Sequence, residues 1–452
     1  MENIINKPRV GVLALGRETF DIPYAKEILK QVCASLHSLD IDIIGDPVNL
    51  CCDKETTLKT ADFLKKQDVD LLLILQITFT DASLTMDTVK TLACPTLMWS
   101  FPEPRTGGRL RLNSFCGVNL ANHALSRESI KIQTIHGLPD NKNSIDQLLE
   151  VAKAAAIIKA LKKMKIMVIG DHPTGFDACN YNPLLLKQYF GVQIDCEPLP
   201  DFINEVKELP DSIADAAYDR RAKDFSNLSE MDQTATRKTL KVYSGLKEKA
   251  KMQAYNGIAV RCWPDFFIDY GCAACGALAL MNEDKIPCGC EADVLGVLSS
   301  LLAQQVSGDV AFNTDLVDVD SIGNTVVFWH CGQAPIQMAD RDGILQATVH
   351  SNRKLPLLSE FALKPGRITL VRITQGEGKL RLMIGGGEML KAPLPFSGTA
   401  GTARLDIDAQ SYRERLISIG LEHHTTLFYG EHRPLLKKIG QLIGLETIDL
   451  TA

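Results

Sequence analysis

The chain has no apolar run approaching the ~20 residues that a membrane-spanning helix requires. It has no basic surplus either: 49 Lys and Arg stand against 55 Asp and Glu, for a formal net charge of -6 at pH 7. Nucleic-acid binders concentrate cationic side chains on one face, so that class is not expected. No fixed-period repeat and no low-complexity linker interrupts the 452 residues. Gly16-Arg17-Glu18-Thr19 follows the first strand-like run without the second and third spaced glycines of a dinucleotide fingerprint, so no nucleotide cofactor is expected. Cysteine is absent beyond Cys331, and the total of 13 is odd. Secreted disulfide scaffolds are short and cysteine-dense, so reduced thiols in a cytoplasmic protein are the expectation. Met1–Val10 leads through charged residues straight into a strand-like run, unlike a signal peptide.

What is present is enough apolar sequence, 45%, for several cores. The first 164 residues alternate short apolar runs with helical patterns. Arg9–Leu15, Ile41–Ile44, Leu71–Leu75 and Pro95–Trp99 read as buried strands, with helices over Pro23–Leu39, Thr56–Lys66 and Ala82–Leu92. Such alternation implies a parallel sheet covered on both faces. After a helix at Ser144–Lys163, a second α/β domain spans 165–323. It has strands at Lys165–Gly170, Val192–Cys196, Gly257–Cys262 and Ile286–Cys290, and helices at Thr236–Met252, Ile268–Met281 and Glu291–Val306. From 324 to 452, short strands without intervening helices predict a β-rich, barrel-like or sandwich domain closed by a helix at Arg433–Leu442. Gly385-Gly386-Gly387-Glu388 reads as a hairpin loop. The fold class is therefore α/β: two Rossmann-like parallel-sheet domains followed by a β-rich domain.

Chemistry concentrates where strands end. Cys262-Trp263-Pro264-Asp265 and Cys288-Gly289-Cys290-Glu291-Ala292-Asp293 follow consecutive strands. Parallel sheets bind ligands beyond the carboxyl ends of their strands, which would bring Asp265 and Glu291 into one crevice. Helix capping is the commoner duty of an acid at such a junction. Trp329-His330-Cys331-Gly332 ends a strand and Glu422-His423-His424 begins one, and carboxylates with imidazole can hold Mn²⁺ or a similar cation. Adjacent His423 and His424 on a strand would face opposite ways, so one of them at most enters a given site. Cys272, Cys275, Cys288 and Cys290 count like a zinc ribbon, but Cys272 and Cys275 lie on an apolar helical stretch without a knuckle turn.

The arrangement resembles the L-fucose/L-arabinose isomerase superfamily, whose members join two Rossmann-like domains to a β-rich C-terminal domain. The resemblance implies a fucose isomerase-like, metal-dependent aldose–ketose isomerase working by ene-diol proton transfer. Asp265 and Glu291 would be both metal ligands and proton-transfer groups, one of His423 and His424 the third ligand, and Mn²⁺ or another divalent cation the cofactor. His330, Trp263, Arg17 and Arg109 would contact substrate, Arg17 across a subunit boundary. A homo-oligomer, a hexamer with shared sites, is implied as well. Neither a membrane nor a nucleic acid is an expected partner; the partner is a small-molecule sugar. Alternatives are a non-catalytic sugar-binding protein, or another metal-dependent carbohydrate enzyme such as an aldolase or epimerase.

Arg105, Arg109 and Arg111 lie within seven residues, in a loop rich in Gly and Pro. Guanidinium forks bind phosphate or sulfonate oxygens bidentately, so the loop suggests an anionic sugar. Pairing with Glu103 and other surface acids is the plainer expectation.

Overall fold

The computed structural model describes residues 7–452, so the part of the N-terminal reading that falls on residues 1–6 lies outside the described residues. The chain forms two compact units, one running to Ala160 with Gln441–Ile443, the other Leu161–Gly440 with Gly444–Ala452.

The first unit is built on a parallel sheet with strands in the order Asp42–Ile44, Arg9–Leu15, Leu71–Gln76, Thr96–Ser100 and Gln133–His136; Leu50–Cys51 pairs with the far end of Arg9–Leu15. Every residue of Leu71–Gln76 and Thr96–Ser100 is buried, as helices on both faces require. Asp21, Asp53 and Asp81 each stand at the head of a helix and accept a backbone N–H of its first turn. The strands and helices expected here are present. The structure adds the helix Ser114–Ser126, whose apolar spacing is weak.

The second unit carries two sheets. A parallel one orders Cys288–Gly289, Gly257–Val260, Lys165–Ile169 and Gln193–Glu197. The other is a nine-stranded, largely antiparallel sheet in which Thr399–Leu405, Thr325–His330, Phe312–Asp320, His424–Tyr429, Gly366–Gly376 and Lys379–Met389 are successive neighbours. Lys379–Met389 pairs again with Thr399–Leu405. One continuous apolar core joins both sheets, including Val260, Leu278, Phe312, Phe328 and Leu427.

Three local expectations are corrected. The helix expected over Ile268–Met281 is interrupted: a π-helical turn at Phe266–Tyr270 ends at Gly271, whose φ of +77° closes it, and the α-helix starts only at Cys275. The helix expected from Glu291 starts at Val294, because Asp293 is its cap and Glu291 itself is not helical. Gly385–Gly387 is no hairpin loop but the interior of Lys379–Met389. A Cβ on Gly387 would stand 2.5 Å from the Arg404 carbonyl oxygen, so glycine there lets a neighbouring strand approach. Among the described residues no helix is long and apolar enough to cross a membrane.

Candidate active site

The site is assembled in the second unit from a loop and three antiparallel strands. Asp315 on Phe312–Asp320 lies directly opposite His424, the first residue of His424–Tyr429. His424 Nε2 is 3.4 Å from Asp315 Oδ1 and 3.5 Å from Glu291 Oε2. Glu291 Oε2 is also 4.0 Å from His330 Nε2. Three atoms at this convergence, Glu291 Oε2, Asp315 Oδ1 and His330 Nε2, are buried without a hydrogen-bond partner among the described residues. Leaving such atoms unsatisfied costs about 1–3 kcal/mol each, more for charged groups, which marks a place prepared for a ligand.

Glu291 arrives there by a strained route. It and Ala292 both adopt left-handed backbone, with φ of 53° and 55°. A residue with a Cβ gives up roughly 1–2 kcal/mol in that region, and such strain gathers at functional sites. Trp263 Nε1–H donates to Glu291 Oε1 at 3.1 Å, fixing one carboxylate oxygen and leaving the other toward His424 and His330. Burial pushes the Glu291 carboxyl up to about 7, against the opposing pull of His330 and His424.

His424 is oriented from behind. Its Nδ1–H donates to Asp293 Oδ2 at 2.8 Å, which turns Nε2 toward the two carboxylates. Asp293 is fully buried and saturated: it caps Val294–Ser307, accepts from Asn313 and meets Arg372 through both oxygens, at 2.7 and 3.1 Å. Burial alone would raise its carboxyl, but Arg372 and His424 hold it well below the usual carboxylate range. Arg372 is itself held by Glu422 at 2.7 Å. Gly296 makes room for this group, since a Cβ there would stand 2.3 Å from Asp293 Oδ2. Burial disfavours protonated His424 and His330, yet both are shifted upward by neighbouring carboxylates, Asp293 for His424 and Asp315 with Glu291 for His330.

The residues expected from sequence fall out unevenly. Glu291, His424, His330 and Trp263 come together. Asp265 does not join them: its carboxylate meets Arg261 Nε at 2.7 Å, and it belongs to none of the ligand-type groups whose atoms lie within 4.8 Å of one another. The acid that the structure brings to His424 is Asp315, at 3.4 Å. Its strand, Phe312–Asp320, announces itself only in the alternation Val317-Asp318-Val319-Asp320, just beyond Asp315. The expectation that His423 and His424 face opposite ways is also corrected. His423 precedes the strand, so alternation does not govern it; the two rings are 4.3 Å apart, and both lie near Asp315.

Two of the first unit's four candidate arginines are engaged. Arg111 meets Asp21 at 2.8 Å and lies over the Tyr24 ring, and Arg17 meets Asp81 at 3.4 Å. Glu103 is satisfied by backbone N–H groups of Arg111, Leu112 and Asn113 rather than by a guanidinium. Arg105 and Arg109 are exposed and form no ion pair among the described residues. Sequence reasoning passed over Arg353. Its guanidinium lies 5.0 Å from the centre of the Trp263 ring and 5.1 Å from that of Phe267, and no acid among the described residues pairs with it.

Known proteins resemble this chain along nearly its whole length. A family model for the N-terminal domain of fucose/sulfoquinovose isomerase matches residues 11–162. A sulfoquinovose isomerase of Priestia aryabhattai is 32% identical over 434 residues, 96% of this chain and 97% of that protein. That of Priestia megaterium gives the same values. A sulfoquinovose isomerase of a Clostridium strain is 30% identical over 450 residues, 97% of this chain and 98% of its own length.

Proposed function

This chain belongs to the fucose/sulfoquinovose isomerase family and is an aldose–ketose isomerase; we propose that its substrate is the sulfonated sugar sulfoquinovose and that Glu291, Asp315 and His424 form its reaction centre. The observation that carries the reading is the meeting of the unpartnered Glu291 Oε2 and Asp315 Oδ1 at His424 Nε2.

These donors fit a divalent cation of the Mn²⁺ type. Two carboxylate oxygens and an imidazole nitrogen are the ligand set such ions take, and the Asp293 acceptor behind His424 is the usual support for a metal-binding histidine. Bound there, the cation would supply charge stabilisation for the oxygens of the reacting carbons. The chain's own residues do the rest. Glu291 and Asp315 would carry the proton between C2 and C1, one face of the ene-diol presented to them. Trp263 holds Glu291 Oε1, so Glu291 reaches the substrate with Oε2. His330 Nδ1 accepts the Cys331 N–H at 2.9 Å, so in the neutral ring the proton sits on Nε2, where it can donate to a substrate oxygen.

Arg353 would read the sulfonate. It stacks on the indole that holds Glu291, it has no acidic partner among the described residues, and it is exposed. A charge-assisted hydrogen bond from it is worth about 1.5–3 kcal/mol. Arg17 and Arg109 belong to the same proposal only if a neighbouring subunit brings them to the site, as in the hexamer the resemblance implies. The cytoplasm, the Rossmann-like character of the parallel sheets and the barrel-like closure of the C-terminal sheet complete the reading; the second pairing of Lys379–Met389 supports the last.

The test is turnover of sulfoquinovose in D₂O with Mn²⁺. Ketose product carrying deuterium at C1 supports the reading. Binding without exchange would point to a sugar-binding protein, and C–C cleavage products to an aldolase.

A further inference from the structure

The loop of residues 170–182 leaves the carboxyl end of the strand Lys165–Ile169 and leads into the helix Pro183–Phe190. That is the edge at which parallel sheets hold ligands. The loop is tied down at three points. Arg372 Nη2 donates to the Ala178 carbonyl at 3.3 Å, and the Asn182 N–H donates to Gln375 Oε1 at 2.8 Å. Cys179 is buried, with its Sγ 4.0 Å from His424 Nδ1. Arg372 is the same guanidinium that fixes Asp293 behind His424.

Phe176 stands in the middle of this loop. Its N–H donates to the Pro173 carbonyl and its own carbonyl accepts the Cys179 N–H, both at 3.0 Å. Its half-buried ring meets two others nearly at right angles: Trp263 at 5.3 Å between centres and 82°, and His423 at 5.8 Å and 80°. Edge-to-face contact is a favoured arrangement for such rings, because the positive rim of one meets the negative face of the other. A half-buried phenylalanine in a loop is usually packing and nothing more. Here each ring it touches stands beside one of the two carboxylates. Trp263 holds Glu291 Oε1, and a ring nitrogen of His423 lies within 4.8 Å of an Asp315 oxygen.

We propose that Phe176 is a positioning residue of the isomerase: its ring, held by the loop that Arg372 anchors, fixes Trp263 and His423, and through the Trp263 indole it fixes Glu291. The inference rests on the reaction centre proposed above. Proton transfer between adjacent carbons requires the accepting oxygen within a fraction of an ångström of its working position, so an indole free to swing costs turnover rather than binding. Phe176 touches neither carboxylate, and its effect runs through the two rings.

The test uses the full chain and reads two quantities. Trp263 is one of three tryptophans, so ¹⁵N-labelled indoles give three N–H resonances, and Trp263→Phe identifies the one bonded to Glu291. Phe176→Leu keeps an apolar side chain and removes the ring. It should shift that resonance and lower kcat roughly 10–100-fold, with KM changed less than about threefold. Phe176→Tyr retains the ring and should restore both. If Phe176→Leu fails to fold, Phe176→Met takes its place with the same expectation. A Trp263 resonance unmoved by loss of the ring would overturn the proposal. A loss carried by KM alone would also overturn it, because Phe176 would then be a substrate contact. If the unaltered chain fails to turn over sulfoquinovose, the substrate reading falls, and the indole resonance still decides the role of Phe176.

Discussion

Asp293 and His424 are joined by a 2.8 Å hydrogen bond in a place where neither side chain is more than 3% exposed. The carboxylate is fixed by Arg372 on one side and by the start of a helix on the other, so the imidazole has no freedom to turn. Removing that carboxylate therefore tests orientation and burial together. Asp293→Asn should cost about 1.5–3 kcal/mol, because it removes one of the two carboxylates that hold the buried Arg372 and leaves Glu422 as the other. Affinity for the divalent cation should fall 10–100-fold. Denaturant unfolding and a metal titration measure the two effects separately.

Asp315 and Asp265 compete for one role, and kinetics can choose between them. Asp315→Asn and Glu291→Gln should each lower kcat by about 10²–10⁴ while circular dichroism shows an intact fold. Asp265→Asn should lower kcat by less than about tenfold, since its carboxylate is occupied by Arg261. The reverse ranking would return Asp265 to the reaction centre.

Substrate charge should be read at Arg353. Arg353→Ala is expected to raise KM for sulfoquinovose roughly 10–100-fold, the equivalent of one charge-assisted hydrogen bond, with kcat changed far less. A neutral hexose should be indifferent to the substitution. Added salt should weaken the unaltered enzyme toward the sulfonate more than it weakens the variant. Arg109→Ala measured beside it shows whether the first unit shares the task.

Acid should destabilise the chain partly through His350. Burial, with Arg353 adding to it, pushes this imidazole down to about 4, whereas an unfolded histidine titrates near 6.5. Between those values the unfolded chain binds the proton and the folded chain does not. Stability from this group is thus full above pH ~6.5 and is lost as pH falls toward 4. Thermal midpoints measured across that window should drop, and His350→Asn should make the slope shallower. An unchanged slope would assign the acid sensitivity elsewhere.

The local grammar of this protein was legible in its sequence. Leu71–Leu75 and Leu97–Trp99 are apolar throughout because both faces of a parallel sheet are covered, and no other part of the molecule is needed to see it. Glu291 and one of the paired histidines stood out because they follow or open strands, and the motif around them resembles a known family. Errors began where a side chain's duty depends on a distant partner. Asp265 and Asp315 are both acids near strand ends; only the presence of Arg261 beside one and of His424 opposite the other tells them apart.

The sequence by itself determined the alternation of strand and helix, the change to β structure in the last third, and the kinds of residue available for chemistry, because burial periodicity is a local property of the chain. Tertiary structure decided which of those residues meet. Asp293 became the support of His424 across a sequence separation of 131, and Asp315 came to lie 3.4 Å from the same imidazole. Those distances depend on how two sheets share one core, and no spacing along the chain encodes them.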